Sequence, residues 1–401
     1  MENYLDLSRI LYPISLETFF NDYWEKGPLI IERKDNNYYK DLLTMSDVDN
    51  IITSTDLKFP EIRLAKYGTK IPSQEYTNTI RIAGVEVSGV ASVDKILIEY
   101  QKGATIILQA LDRRWKPLTE FCRDLESILG CRFQTNIYLT PKHSQGFAPH
   151  YDTHDVFVLQ AAGKKHWKIY NSPFSLPLRS QPYDSSKTRA SQLLTEIDLE
   201  TGDLIYIPRG FIHEATASEE TSLHITLGLI TYTWADVMSE ALLYLCETDV
   251  RFRKSLPVDF FQGNNLNKLP ADEFKDLLSA FSDKLPLGNF GSAIREKFLA
   301  TRLQSLERQL IEIEGLDNLT LQSEFRKRPK IIFELTEDAS SVCLLFHGKK
   351  LQFPNFAESA LRYIADNDSC AIESIADNLD DKGKITLVRR LIREGFLVST
   401  S

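Results

Sequence analysis

Between residues 96 and 230 the chain repeats short runs rich in Ile, Val, Leu, Tyr and Thr. They are GATIILQAL, TNIYLTP, DVFVLQAA, HWKIYN, DLIYIP and SLHITLGLI, with turn residues between them. One helical pattern interrupts them: KPLTEFCRDLESIL has a Pro near its start and Gly130 after its end. Strands of this kind without regular βαβ alternation argue against a parallel sheet. They predict an antiparallel barrel or a double-sheet jelly roll.

The same segment concentrates the imidazoles. Six of the seven histidines (His143, His150, His154, His166, His213, His224) lie in it, and His347 lies outside. His150 and Asp152 form a His-x-Asp pair, and residues two apart on a strand share a face, so the two are expected to chelate one ion together. His213 follows Pro208 and Gly210 in GDLIYIPRGFIHEA, a turn able to aim the ring back into a barrel. Two His and one carboxylate leave coordination positions open, which suits non-heme Fe(II) oxygen chemistry. A structural zinc would call for closed four-coordinate ligation, usually with Cys, and no Cys is nearby in sequence. His-x-Asp alone is common by chance; followed by G-x5-P-x-G-x-x-H in a β-rich stretch it is a specific pattern.

Lys165 comes fifteen residues after His150, across an expected hairpin at AAGKK. Alternation sends either Lys164 or Lys165 inward, and a buried ammonium calls for an anionic partner. Asn136, Tyr138 and Thr140 share one strand face and read either as pocket lining or as ordinary sheet polar pairs. His154 falls on the face of His150 and Asp152 if that strand stays regular. His143 and His166 read as loop and surface residues. His224 reads as a core histidine, or as a border, with Ser222 and Thr226, of the pocket for a dicarboxylate cosubstrate that would be the lysine's anionic partner.

Composition bounds the rest. At 401 residues, 43% hydrophobic and 26% charged, the chain is expected to make a soluble protein of several domains. A net charge of -9 argues against general attraction to nucleic acid or anionic membrane. Five scattered cysteines without a C-x-x-C favour a reducing cytoplasm over a disulfide framework. MENYLDLSRILYPISLETFF lacks the charge pattern of a secretory signal, and no apolar run reaches bilayer-spanning length.

Residues 1–95 mix helix and strand signals, with Ser15 capping an aromatic-rich helix that ends at Gly27 and Pro28. Phe19, Phe20, Tyr23 and Trp24 are expected to pack on a sheet. A second capped helix begins near Ser46, and strand-like pieces follow around 85–93. Residues 96–233 are the β core and 234–328 a helical region. There TWADVMSEALLYLCETDVRF places Val237, Met238, Ala241, Leu242 and Leu245 on one face. After a turn-rich connection at 254–272, REKFLATRLQSLERQLIEIEG carries Leu299, Leu303, Leu306, Leu310 and Ile313 in a stripe, either bundle packing or a dimer seam. Residues 329–401 read as two pairing strands, helices at FAESALRYIADND, AIESIADNL and GKITLVRRLIREG, and a closing strand. That order resembles a winged helix. Residues 351–401 hold six Lys and Arg against eight Asp and Glu, so groove binding through Lys384, Arg389, Arg390 and Arg393 is disfavoured. FRKRPK (325–330) and HGKK (347–350) are the most basic spots.

NIYLTP, SQGFAPHYDTHDVFVLQAAGKKHW and GDLIYIPRGFIHEA together resemble the JmjC-type ribosomal oxygenases, cupin-like Fe(II)- and 2-oxoglutarate-dependent protein hydroxylases. The likeness extends to FFNDYWEKGPLII and to the tail. It implies an α+β chain with a double-stranded β-helix (jelly-roll/cupin, JmjC-type) core, a helical dimerisation region and a C-terminal winged-helix-like domain. It also implies that His150, Asp152 and His213 bind iron and that Lys165 pairs with the C5 carboxylate of 2-oxoglutarate. Asn136 and Tyr138 would line that pocket, with Ser222 and Thr226 beside it. O2 would be the co-reactant, an Arg or His of a ribosomal protein the substrate, and a homodimer in the cytoplasm the working form. A small-molecule substrate or a non-catalytic metal-binding cupin scaffold are the alternatives; a scaffold requires neither the three donors nor Lys165.

Overall fold

A computed structural model describes residues 5–189, 192–258, 260, 270–302, 306–337, 340–375 and 379–400. The chain divides into two units, Met1–Thr231 and Tyr232–Ser401. In the first, the strands run Leu29–Ile31 (β1), Ile62–Ala65 (β2), Thr77–Ile82 (β3), Val85–Ala91 (β4), Thr105–Leu108 (β5), Arg132–Thr140 (β6) and Ser144–Gln145 (β7). Then come Asp155–Ala162 (β8), Lys164–Tyr170 (β9), Leu193–Glu200 (β10), Leu204–Ile207 (β11), His213–Ala217 (β12) and Ser222–Ile230 (β13).

Two antiparallel sheets face each other. One has the order β1-β11-β8-β13-β6-β5-β2 and the other β10-β9-β12-β7; β3 and β4 form a separate hairpin. This is a jelly-roll, cupin-type architecture, as the spacing of the apolar runs predicts. The continuous apolar run of β8 follows from burial on both faces. Val156 and Val158 meet Trp167, Ile169, Leu199, Ile205 and Ile207 between the sheets. Phe157 and Leu159 join the larger core with Phe121 and Leu125 of the helix Lys116–Leu129. Each such fully buried side chain contributes about 1.5–3 kcal/mol.

The expected hairpin at AAGKK is not formed. β8 belongs to the seven-stranded sheet and β9 to the four-stranded one, so the chain turns a corner between sheets at Gly163. Gly163 has φ +66, and a Cβ there would lie 1.8 Å from the Thr221 carbonyl oxygen. Only glycine fits.

Near the N-terminus the Ser15 hydroxyl accepts from the Thr18 N–H at 3.0 Å, the expected cap. The helical turns stop at Tyr23, before Gly27 and Pro28. Phe19 packs 5.0 Å from the Tyr206 ring, and Trp24 stacks on Tyr206 at 6.0 Å. Phe20 instead stays 38% exposed. The next helix, Met45–Ser54, is capped by Thr44 with Asp47 in a reciprocal capping box, just ahead of the expected Ser46.

The second unit holds helices Trp234–Thr248, Ala271–Lys284, Leu287–Ala300 and Gln309–Glu314. In the first of these Ala241 and Leu245 are buried, whereas Met238 and Leu242 are exposed. The long helix expected from 295 to 315 is broken: it ends at Ala300 and restarts at Gln309, after Arg308 at φ 61. Leu299 is buried, while Leu306, Leu310 and Ile313 are 46%, 73% and 43% exposed, so no single stripe runs through them. Leu303 and most of the 254–272 connection lie outside the described residues.

Further on, Glu324–Lys327 (β14), Ser369–Ala371 (β18) and Leu397–Ser399 (β19) pair as β18-β14-β19. Phe333–Glu337 (β15), Ser341–Phe346 (β16) and Lys349–Pro354 (β17) form a meander. Helices Glu358–Asp366 and Asp381–Glu394 pack over Phe346 and Phe396. The helix expected at AIESIADNL is instead the strand β18 and a short 3₁₀ turn, Ile372–Ser374; 376–378 lie outside the described residues. The basic side chains here serve the unit itself. Arg389 donates to the Leu316 carbonyl, Arg328 to those of Gly395 and Glu307, and Arg390 to that of Gln352. Lys349 pairs with Glu394, and Lys350 with Glu296. Among the described residues no helix is long and apolar enough to cross a membrane.

Candidate metal centre

His150, Asp152 and His213 come together: one donor atom from each lies within 4.8 Å of the others, the sole such cluster among the described residues. The rigid platform differs from the expected one. His150 and Asp152 lie in the segment before β8, where His150 forms an isolated bridge with His213. The His150 N–H donates to the His213 carbonyl at 3.1 Å, and the His213 N–H to the His150 carbonyl at 2.8 Å. The regular strand begins only at Asp155.

Backbone carbonyls set both tautomers. His150 Nδ1 lies 2.8 Å from the Ala148 carbonyl oxygen and His213 Nδ1 3.1 Å from that of Phe211. A carbonyl can only accept, so each Nδ1 carries the proton and each Nε2 lone pair is free for an ion. Burial, then the neighbouring His150, lowers His213 to about 4, keeping it neutral. Burial pushes the Asp152 carboxyl up, but the His154, His213 and His150 rings outweigh it and hold the group below its usual range. Two imidazole nitrogens with a carboxylate fit a hard to borderline divalent ion.

These residues line a cavity of about 240 Å³. Its wall follows from register: on β6 and β13, Asn136 faces Thr226 and Tyr138 faces His224. The Asn136 side-chain oxygen accepts from the Ala110 N–H at 3.2 Å. Tyr138 stacks on His224 at 4.9 Å. Burial, then the Asp152 charge, raises the Tyr138 phenol, so it stays protonated. Lys165 projects inward from β9 and is 4% exposed, while Lys164 points out to Asp198 and Glu200. Lys165 Nζ meets the Thr140 hydroxyl at 3.0 Å, and burial lowers its pKa to about 7. Trp167 Nε1 and His224 Nδ1, also buried and lining the cavity, have no hydrogen-bond partner among the described residues. The buried Lys165 amine and the unpartnered Trp167 Nε1–H make an anion-receptive end.

Ser222 does not line the cavity; its hydroxyl accepts from the Gln160 amide at 2.9 Å. His154 sits on a bend against Gly228, where a Cβ would come within 2.7 Å of its ring, so it does not continue a strand face. His143 faces Glu219, and His166 bonds Asp198 and Glu196 on the outer face of β9. Sequence reasoning missed Arg63, Gln109 and Trp167, which also line the cavity. Alternation from Lys165 pointed to Trp167. For Arg63, the signal was a cation inside the alternating IRLA run of β2.

Residues 110–237 match the JmjC_2 family, described as a JmjC domain. The chain carries a JmjC domain. It is 30% identical over 337 residues to the bifunctional lysine-specific demethylase and histidyl-hydroxylase NO66 of Drosophila persimilis, covering 81% of this chain and 45% of that protein. It is 34% identical over 266 residues to ribosomal oxygenase 1 of Danio rerio, covering 63% and 46%. The JmjC-bearing chain thus spans under half the length of either relative. The structure of YcfD, a ribosomal oxygenase from Escherichia coli in complex with cobalt and 2-oxoglutarate, shares the fold. The TM-score is 0.57 at 15% identity, over 97% of this chain and 99% of that one.

Proposed function

We propose that this chain is an Fe(II)- and 2-oxoglutarate-dependent oxygenase that hydroxylates an Arg or His side chain of a ribosomal protein. The observation that carries the reading is the pairing of two features in one cavity: the His150–Asp152–His213 donor set and the buried, carboxylate-free Lys165. The relatives named as ribosomal oxygenases support the substrate class.

Iron would be held by His150 Nε2, the Asp152 carboxylate and His213 Nε2. With 2-oxoglutarate it supplies the activation of O2, consuming the cosubstrate to succinate and CO2 as a substrate C–H bond becomes C–OH. Lys165, with the Thr140 hydroxyl, would bind the far carboxylate of 2-oxoglutarate, and Asn136, Tyr138 and Thr226 would line the same space. Val156, Val158 and Trp167 keep the interior dry, which strengthens the Lys165 contact. Ser222 would act at one remove, by orienting Gln160.

The helices of residues 234–328 would form a dimerisation region. Trp234, Leu243 and Met238 are 82%, 57% and 52% exposed on one helix, which supports that role. Residues 329–401 would be a winged-helix-like domain for protein contact, with Lys349, Arg389 and Arg390 engaged within the second unit. Five free cysteines fit a reducing, cytoplasmic setting.

The test is succinate formation from 2-oxoglutarate with Fe(II), with and without ribosomal proteins. Turnover stimulated by a ribosomal protein, and abolished in Asp152→Ala, is the expected result. Absence of both iron binding and turnover would overturn the reading.

A further inference from the structure

The metal donors sit on two chain segments: His150 and Asp152 lie in the loop before β8, and His213 is the first residue of β12, at the end of the turn that follows β11. Three sets of contacts join the segments. The His150–His213 bridge is one, and the Gly210 N–H donating to the Asp152 carbonyl at 3.1 Å is another. The third is ionic. Asp155, wholly buried, accepts from the Arg209 N–H at 2.7 Å and from Arg209 Nη1 at 3.0 Å.

Arg209 is itself held from behind. Its Nη1 lies 2.6 Å from Glu25, whose own N–H donates to the Tyr206 hydroxyl at 3.1 Å. Glu25 reaches this place from a backbone at φ 58, after the aromatic turns that pack Phe19 and Trp24 on Tyr206. The turn between Arg209 and His213 is fixed as well. A Cβ on Gly210, at φ +92, would fall 2.4 Å from the Phe174 carbonyl oxygen. Burying one carboxylate and one guanidinium is costly unless each is paired. Here the pair spans the two segments that must present donors to one ion.

We infer that Glu25, Arg209 and Asp155 form a clamp that sets the spacing of the His150–Asp152 and His213 segments, making Asp155 and Arg209 positioning residues for the metal. Asp155 lies three residues after Asp152 and Arg209 four before His213, so neither touches the ion; each acts through the backbone it anchors. The N-terminal segment thereby becomes part of the metal site, although it supplies no donor. The inference rests on the proposed metal-binding reading.

The test is Mn(II) affinity of the full chain, followed by electron paramagnetic resonance of free and bound ion, beside circular dichroism and Tm of the metal-free protein. Asp155→Asn keeps size and one acceptor but removes the charge. It is expected to lower Mn(II) affinity about 10- to 100-fold and to alter the bound-ion spectrum, with Asp155→Glu recovering part of the loss. Glu25→Gln changes a part-exposed partner and is expected to shift affinity in the same direction by less. Should Asp155→Asn fail to fold, Glu25→Gln decides. A change in Tm with wild-type affinity and spectrum in both variants would make the cluster merely structural and overturn the clamp. Failure of the wild-type chain to bind Mn(II) would instead overturn the metal site itself, and the clamp with it.

Discussion

Lys165 has a pKa of about 7 because burial penalises its charge and its partner is the neutral Thr140 hydroxyl. The unfolded chain keeps a lysine near roughly 10.4. Between these values the unfolded state binds the extra proton, so stability rises with pH across that window and is flat below it. Lys165→Met should lack this rise, as urea unfolding at pH 7 and pH 9.5 would show. Binding an anion reverses the preference. The free protein must take up a proton to pair with a carboxylate, so 2-oxoglutarate affinity should fall as pH rises above about 7. Calorimetry in buffers of different ionisation enthalpy would register the proton uptake, and Lys165→Ala should chiefly weaken cosubstrate binding. An affinity independent of pH would place the carboxylate elsewhere.

The corner at Gly163 decides where that ammonium goes. β8 and β9 belong to different sheets, and the turn between them rotates Lys165 and Trp167 into the cavity while Lys164 and His166 face out. Gly163→Ala would combine a left-handed backbone with a Cβ 1.8 Å from the Thr221 carbonyl. It should destabilise the first unit by about 2–4 kcal/mol, against roughly 1–2 kcal/mol for Gly84→Ala. At Gly84, with φ +83, a Cβ would meet nothing within 4 Å, so that variant isolates the backbone cost. Equal urea midpoints for the two variants would show that the sheet corner yields easily. The strand runs were legible in the sequence, because alternation and β-branched content report burial directly. The hairpin reading of AAGKK failed because a glycine turn looks alike whether it joins strands of one sheet or of two.

In the whole molecule, the proposed dimerisation rests on the exposed Trp234, Met238 and Leu242, which recur every four residues on one face of the helix Trp234–Thr248. Light scattering should give a dimer mass for the chain and a monomer mass for Trp234→Glu/Leu242→Glu. A monomer at every concentration would remove that role. The leucine stripe foreseen across 299–313 is a weaker candidate, since the helix stops at Ala300 and the exposed Leu306, Leu310 and Ile313 follow the break.

Sequence alone named the side chains that carry the proposed chemistry. His150, Asp152, His213 and Lys165 were legible because few residue types bind metal or anion, and their spacing in a β-rich run is specific. Tertiary structure decided how those groups are presented. His150 and Asp152 stand on a bridged loop, not a strand, held by Glu25 and Arg209 from distant parts of the chain. Arg63 and His224 are hinted at by their own runs, but they reach the cavity only through the β2–β5 and β13–β6 pairings. Donor identity is a property of single residues, whereas distance between donors depends on long-range pairing and burial. The second cannot be read until the sheets have closed.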